Sequence, residues 1–117
     1  MRVLFDKNVP YGTRQFLSSH QVETVDDRGW ALISNGELLK VAEAGSFDVV
    51  VTADQNIVYQ QNLKDRQIAL VVLGSNIWPI VRNHETSIRE QVDTAVPGSY
   101  AFIPMPLPAS YKARTRQ

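Results

Sequence analysis

The stretch that decides the fold reads Val49-Val50-Val51-Thr52-Ala53-Asp54-Gln55-Asn56. Its first part is a run of β-branched residues, which is typical of a strand buried on both faces of a sheet. A polar turn follows, and Asp54 lies at its start. The beginning of the chain repeats the pattern, because an apolar strand over residues 2–5 ends on Asp6. Ligands of open α/β sheets bind outside the carboxyl ends of the strands, so the two aspartates predict a shared site.

The rest of the chain alternates between strand and helix patterns. We expect strands over residues 2–5, 22–25, 48–52, 68–73 and 100–103. We expect helices over residues 10–19, 34–44 and 57–63, and a long one from residue 78 to the break at 97–99. The apolar contacts of the first helix would be Tyr11, Phe16 and Leu17. The alternation predicts a three-layer α/β/α domain with a mainly parallel central sheet over residues 1–108, followed by a basic, mobile tail over residues 109–117.

The composition excludes several classes of protein. With 117 residues and 44% hydrophobic content, the chain is long enough for one domain with a buried core. Its apolar runs are too short to cross a bilayer, and the N-terminus shows no signal peptide. The absence of cysteine excludes disulfides, zinc–thiolate sites and cysteine nucleophiles, and it fits a cytoplasmic protein. Twelve basic residues balance twelve acidic ones, so net charge gives no indication of nucleic-acid binding.

Three carboxylates are candidates for chemistry. Asp6 and Asp54 would supply oxygen ligands to Mg²⁺ or Mn²⁺, since such a site needs only one or two carboxylates with water and a substrate phosphate. Each aspartate would alternatively cap the helix or turn that follows it, and the residues alone leave both interpretations open. Glu37 lies three residues after Ser34, a spacing that indicates a capping box. From this spacing alone we favour the cap for Glu37.

Polar side chains near these carboxylates are candidates for substrate contacts. Lys7 and Arg14 would bind the backbone phosphates of a nucleic acid. Gln55 and Asn56 come directly after Asp54 and would orient water or substrate. Other kinds of site find little support: two distant histidines without cysteine make a poor zinc site, and the chain contains no glycine-rich phosphate loop or nucleophile elbow.

Three short motifs carry a resemblance to a known family. They are Asp6-Lys7-Asn8-Val9-Pro10, Asn35-Gly36-Glu37-Leu38-Leu39 and Thr52-Ala53-Asp54-Gln55-Asn56. Their order and spacing within residues 1–75 resemble those of the PIN-like family with the domain-of-unknown-function label 5615. The resemblance implies a PIN-type α/β/α fold and a metal-dependent ribonuclease of the kind found in toxin–antitoxin pairs. It also implies an RNA substrate, a small antitoxin partner and the homodimerisation that is common among such toxins, with no membrane partner.

The resemblance also implies which residues form the site. Asp6, Glu37 and Asp54 match the acidic positions that gather around Mg²⁺ or Mn²⁺ at the carboxyl edge of the sheet. A metal ion held there would lower the pKa of a bound water and orient it for attack on a phosphodiester. The match makes a metal-binding role for Glu37 a much stronger expectation than a role as a helix cap alone.

This chain departs from the family pattern at three positions. Many relatives carry carboxylates at or near Lys7, Asn35 and Asn56, which argues here against a second metal ion and against full nuclease strength. The departures keep a second hypothesis open: a non-catalytic PIN-like module that binds RNA or protein through a reduced acidic site. A third hypothesis is a receiver domain that accepts phosphate on Asp54. It is weakened because only one acid follows the first strand, and the segment after the last strand lacks the expected lysine.

Overall fold

A computed structural model of the chain describes residues 1–55, 63 and 65–108. The helix predicted over residues 57–63 falls outside the described residues except for its last position, as do Asn56 and the tail over residues 109–117. For Asn35 only the backbone is described.

The strands form a five-stranded sheet in which every neighbouring pair is parallel. They are β1 (Arg2–Phe5), β2 (Gln21–Thr24), β3 (Val49–Thr52), β4 (Ala69–Leu73) and β5 (Tyr100–Ile103). Their order across the sheet is β2-β1-β3-β4-β5. Each strand begins and ends within one residue of its predicted range, and the parallel α/β class is confirmed.

Burial separates the central strands from the edge strands. β3 and β4 are buried at every position, as expected of parallel strands covered on both faces. β2 and β5 lie at the two edges and are only partly buried. Pro104 follows β5 directly and limits its length, because proline has no amide proton to donate to a sheet.

Alternate residues of the strands belong to two separate cores. One core joins the odd-numbered side chains of β1 and β3 to the helical segments that follow β1 and β4. The other joins the even-numbered side chains to the helix that connects β2 with β3. Since successive side chains of a strand point to opposite faces, the two cores lie on opposite faces of the sheet. This distribution is the one expected of a three-layer arrangement.

The helical segments lie between the strands as the pattern predicts. A 3-10 helix (Tyr11–Leu17) follows β1, and α1 (Asn35–Ala44) connects β2 with β3. Between β4 and β5 the chain forms α2 (Trp78–Val81), a 3-10 turn (Arg82–His84) and α3 (Glu85–Asp93). No helix among the described residues is both long enough and apolar enough to cross a membrane.

The first helix differs from its prediction in type and in one contact. It is a 3-10 helix that ends at Leu17, and the tyrosine, glycine and threonine of its first turn favour an α-helix only weakly. Phe16 and Leu17 are buried as predicted. Tyr11 was predicted to be an apolar contact, but it is 70% exposed.

The long helix predicted after β4 is interrupted. The Nδ2 group of Asn83 donates a hydrogen bond to the carbonyl of Pro79, four residues earlier, at 3.2 Å. A side chain that occupies this acceptor competes with the regular helical ladder, and the backbone tightens into the 3-10 turn at this point. The predicted apolar stripe is nevertheless buried at Ile80, Val81, Ile88 and Val92.

Candidate functional site

The candidate site lies at the carboxyl ends of β1 and β3, which are neighbours in the middle of the sheet. The 3-10 helix that follows β1 packs on one face of the sheet, and α1, which leads into β3, packs on the other. The strand order is one of the common doubly wound orders, and it places a crevice between the ends of the first and third strands. Ligands of doubly wound sheets bind in such a crevice.

Asp6 directly follows β1 at this crevice, and it is almost fully buried. Its amide donates to the carbonyl of Val51 at 2.9 Å, and the residue is only 8% exposed. Its Oδ1 accepts the amide N–H of Lys7 at 2.8 Å, and its Oδ2 accepts the hydroxyl of Thr52 at 2.8 Å. Among the described residues, no basic side chain lies within ion-pair distance of this carboxylate. A carboxylate has about four acceptor positions, so two hydrogen bonds leave room for a ligand.

Thr52 and Asn8 tie the two strand ends together. The hydroxyl of Thr52 donates to Asp6 and accepts the amide N–H of Asp54 at 3.0 Å. The Oδ1 of Asn8 accepts the amide N–H of Ala53 at 2.9 Å. Asp6 and Thr52 continue the even-numbered side chains of their strands, so both point toward the face that α1 covers.

Asp54 lies two residues beyond the end of β3 and is half-buried. Because one hydroxyl bonds both the Asp6 carboxylate and the Asp54 amide, the two aspartates are linked through Thr52. The structure thus brings Asp6 and Asp54 to neighbouring strand ends, as the sequence predicts.

Glu37 lies in the first turn of α1, and its side chain is exposed. The predicted capping box is wrong: Ser34 occupies the N-cap position, but its side chain makes no capping hydrogen bond. Ser34 is exposed, so water can satisfy the first amide groups of the helix instead. Glu37 has no hydrogen bond or ion pair within the part of the chain that the structure describes, and it is therefore not committed to a structural contact.

The three predicted carboxylates do not meet in one cluster. In residues 1–55, 63 and 65–108, no group of three or more acidic or histidine side chains is placed to hold a metal ion. The ligand set of Asp6, Glu37 and Asp54 therefore stays a prediction. Mg²⁺ commonly needs only one or two protein carboxylates, with waters and substrate phosphates completing its coordination.

The predicted substrate-binding residues are spread along the same edge. Lys7 and Gln55 come directly after Asp6 and Asp54, and both are exposed. The ammonium group of Lys7 lies 3.4 Å from the carbonyl of Ala31, and the amide of Gln55 donates to the carbonyl of Gly74 at 3.1 Å. Arg14 lies in the 3-10 helix after β1, where it contacts Tyr11. Asn56 lies outside the described residues.

The sequence pattern predicted no role in the site for Thr52 or Asn8. Thr52 and Asn8 act through contacts between segments more than 40 residues apart, which no local pattern reveals. The one available signal was a hydroxyl at the end of a fully apolar strand, where a polar group must find a partner when it is buried.

A second carboxylate lies in a very different environment on β2. The group that we call the Glu23 cluster consists of Glu23, Arg2, Arg28, Trp30 and Phe47. Both arginines bond the Glu23 carboxylate, Arg2 at 3.1 Å and Arg28 at 2.9 and 3.2 Å. The same guanidinium groups lie over the Phe47 ring, at 4.4 and 5.0 Å from its centroid. The hydrogen bonds from Arg28 and then from Arg2 hold the pKa of Glu23 below its usual value.

Asp27 is a turn residue after β2. Its carboxylate accepts the amide N–H of Thr24 at 3.0 Å, and its own amide donates to the Thr24 hydroxyl at 3.0 Å. The hydrogen bonds from the Thr24 backbone and hydroxyl lower the pKa of Asp27. This exposed carboxylate therefore closes a local turn.

Comparisons with models of protein families, with curated protein sequences and with solved structures find no match to this chain.

Proposed function

We propose that this protein is a metal-dependent ribonuclease of PIN-like type that cleaves a phosphodiester at the crevice between β1 and β3. The observation that carries the proposal is the carboxylate of Asp6, which is 8% exposed and has no basic partner among the described residues. Buried charges in proteins are normally paired with an opposite charge or bound to a metal. A cation that is not part of the chain is the partner that fits this position.

The donors at the crevice suit Mg²⁺ or Mn²⁺. Asp6 and Asp54 offer carboxylate oxygens, the ligands that these hard cations prefer, and the chain has no cysteine that would favour a softer metal. The two acceptor positions of Asp6 that its hydrogen bonds leave open would serve a metal without loss of those bonds. Glu37, which no capping bond holds, would contribute through the α1 side of the crevice.

Several residues of the chain would have separate roles in cleavage. Bound there, the metal would lower the pKa of a water and offset charge on the phosphodiester in the transition state. Thr52 would fix the orientation of Asp6, and its bond to the Asp54 amide would keep the two strand ends together. Lys7, exposed next to Asp6, would contact the scissile phosphate. The resemblance to toxin ribonucleases extends the proposal to a small antitoxin partner that silences the site.

The test is cleavage of a labelled single-stranded RNA in Mn²⁺ and in EDTA. We expect cleavage only with Mn²⁺, and its loss in Asp6→Asn and Asp54→Asn, since each change removes a ligand charge while it keeps the size of the side chain. Glu90→Gln, which removes an exposed carboxylate from α3, is the matched control and should cleave normally. Cleavage in EDTA, or unchanged rates in both aspartate variants, would overturn the proposal.

The absence of a three-ligand cluster favours a second candidate, a non-catalytic PIN-like module that binds RNA or protein. Within the described residues, this absence bears on the metal site and not on the fold. Calorimetric titration of Mn²⁺ into the protein separates the two candidates. The ribonuclease predicts binding that Asp6→Asn abolishes, whereas the module predicts no Mn²⁺ binding.

A receiver domain is less well supported. The strand order is shared by doubly wound proteins of several functions, so it does not favour one of them. β5 ends at Ile103 and Pro104 follows, without the lysine that a phosphate-accepting site of this type would need.

A further inference from the structure

Tyr11 is an exposed aromatic side chain at the start of the 3-10 helix that follows β1. It is 70% exposed, although Phe16 and Leu17 of the same helix are buried. It lies five positions after Asp6 in the chain, and five extended steps of the backbone span at most about 18 Å. A turn shortens this path, because the amide of Val9 donates to the carbonyl of Asp6 at 3.1 Å. The backbone of Tyr11 therefore lies within about 18 Å of that of Asp6, a distance that a ligand extending from the crevice can span.

Arg14 holds this ring in place. Its guanidinium carbon lies 4.7 Å from the centroid of the Tyr11 ring, and it donates a hydrogen bond to the Tyr11 hydroxyl. No carboxylate of the described residues lies within ion-pair distance of Arg14. Its charge is therefore not neutralised by a salt bridge, in contrast to the two arginines of the Glu23 cluster.

The backbone beneath the pair is rigidly supported. A Cβ atom at Gly12 would lie 2.7 Å from two ring carbons of Trp78, so the helix backbone rests directly on the indole. The Trp78 ring is itself stacked on Phe16, with centroids 5.7 Å apart. A surface held in one conformation before binding loses less conformational entropy when a ligand arrives. Tyr11 and Arg14 are thus presented as a preformed surface.

We propose that Tyr11 and Arg14 form a stacking site for one unpaired base of the RNA strand whose phosphate occupies the crevice. Every nucleobase has a flat face that stacks on an aromatic ring, whereas the bases of a duplex are already stacked on one another. The guanidinium of Arg14 adds attraction for the phosphate backbone. The proposal rests on the ribonuclease function for the identity of the ligand, and it adds that the substrate must be single-stranded at this position.

Binding can be measured without cleavage, which separates this proposal from the previous one. The Asp54→Asn protein is titrated in EDTA and low salt against a fluorescein-labelled single-stranded RNA, and against the same RNA in a duplex. Stacking contributes about 1–3 kcal/mol per base, so adding Tyr11→Ala should weaken single-strand binding by about tenfold. Tyr11→Phe keeps the ring and should bind within about twofold of the parent protein. Val96→Ala, at an exposed apolar residue before β5, is the control for loss of exposed surface and should bind like the parent.

A second readout detects the stacking itself. RNA that contains 2-aminopurine loses fluorescence when this base stacks, and we expect quenching with the parent protein and with Tyr11→Phe but not with Tyr11→Ala. Equal affinity for duplex and single strand, or unchanged binding and quenching in Tyr11→Ala, would overturn the stacking site. Binding through Tyr11 without any Mn²⁺-dependent cleavage by the wild-type protein would support the stacking site and contradict the nuclease.

Discussion

Asp6 directly follows β1 and Glu23 lies in the neighbouring strand β2. The two carboxylates differ in their exposure and in their charged partners. Glu23 keeps 35% of its side chain exposed and is bonded by two arginines. Asp6 is 8% exposed and has only an amide and a hydroxyl as partners within the described part of the chain. Desolvation costs more for the buried group, so arginine partners would contribute more to stability at Asp6 than at Glu23.

The difference separates a carboxylate with a structural role from one that we propose to bind a metal ion. The Glu23 cluster fastens the loop after β2 to the start of β1 and to Phe47, and its charges are satisfied within the chain. Asp6 has no basic partner among the described residues, and it lies at the edge of the sheet where ligands bind.

The largest effect is expected from Asp6→Asn. The change should reduce Mn²⁺-dependent cleavage by at least about a hundredfold, since metal catalysis supplies several kcal/mol and each 1.4 kcal/mol is a factor of ten. Without metal, the free energy of unfolding should change by no more than about 1 kcal/mol, because the lost hydrogen bond is offset by relief from burying a charge. Melting curves with and without Mn²⁺ measure both effects, since a ligand that binds only the folded state raises the melting temperature.

The proposed difference between Asp6 and Glu23 is contradicted if Mn²⁺ raises the melting temperature of Asp6→Asn as much as that of the wild-type protein. It also fails if Asp6→Asn unfolds in the absence of metal, since Asp6 would then have a mainly structural role like that of Glu23.

Thr52→Val should give the next largest effect. Thr52 is fully buried and orients Asp6 through its hydroxyl, so its loss should weaken Mn²⁺ binding or cleavage by about 10- to 100-fold. It should also lower the free energy of unfolding by about 1–3 kcal/mol, because the Asp54 amide loses its acceptor. Calorimetry with Mn²⁺ and urea denaturation measure the two changes.

Thr13→Val is the matched control for Thr52→Val. Thr13 is equally buried, but its hydroxyl has no hydrogen-bond partner among the described residues. Replacing this hydroxyl with a methyl group should raise the free energy of unfolding by about 1 kcal/mol and leave Mn²⁺ binding unchanged. Equal destabilisation by both variants would show that the site hydroxyl has no special role.

Glu23→Gln should give the smallest effect, and one that depends on pH. A partly exposed ion pair of this kind contributes about 1 kcal/mol or less, and cleavage should not change. The pKa of Glu23 is lowered on folding, so its contribution is complete above the usual value of 4.5 and is lost as the pH falls through the lowered value. Denaturation curves of the two proteins should therefore differ at pH 7 and converge in acid. A difference that grows in acid would contradict this assignment.

The strands were predictable because each is a short apolar run bounded by polar residues. The alternation of strands and helices also predicted parallel pairing, which the structure confirms. The interruption after Val81 was not predictable from periodicity, because the side-chain amide of Asn83 competes for a helical acceptor without changing the apolar stripe. The exposure of Tyr11 could not be predicted either, since an aromatic residue in a helix pattern is normally assigned to the core.

The positions of Asp6 and Asp54 at neighbouring strand ends were predictable because each aspartate follows an apolar strand. The ion pairs of the Glu23 cluster and the bonds of Thr52 were not, because they depend on which strands are neighbours. Once β1 pairs with β3, position 6 meets position 52 through the register that sets Phe5 opposite Val51. The amino-acid composition does not reveal that register.

The pairing of β1 with β3 also sets the order in which the site is made. Asp6 and Thr52 are 46 residues apart, and at synthesis rates of about 5–20 residues per second several seconds pass between them. Until β3 has been made, β1 lacks the strand that supplies both the Thr52 hydroxyl and Asp54. A growing chain therefore carries no complete site until its middle strand has been translated and has paired with β1.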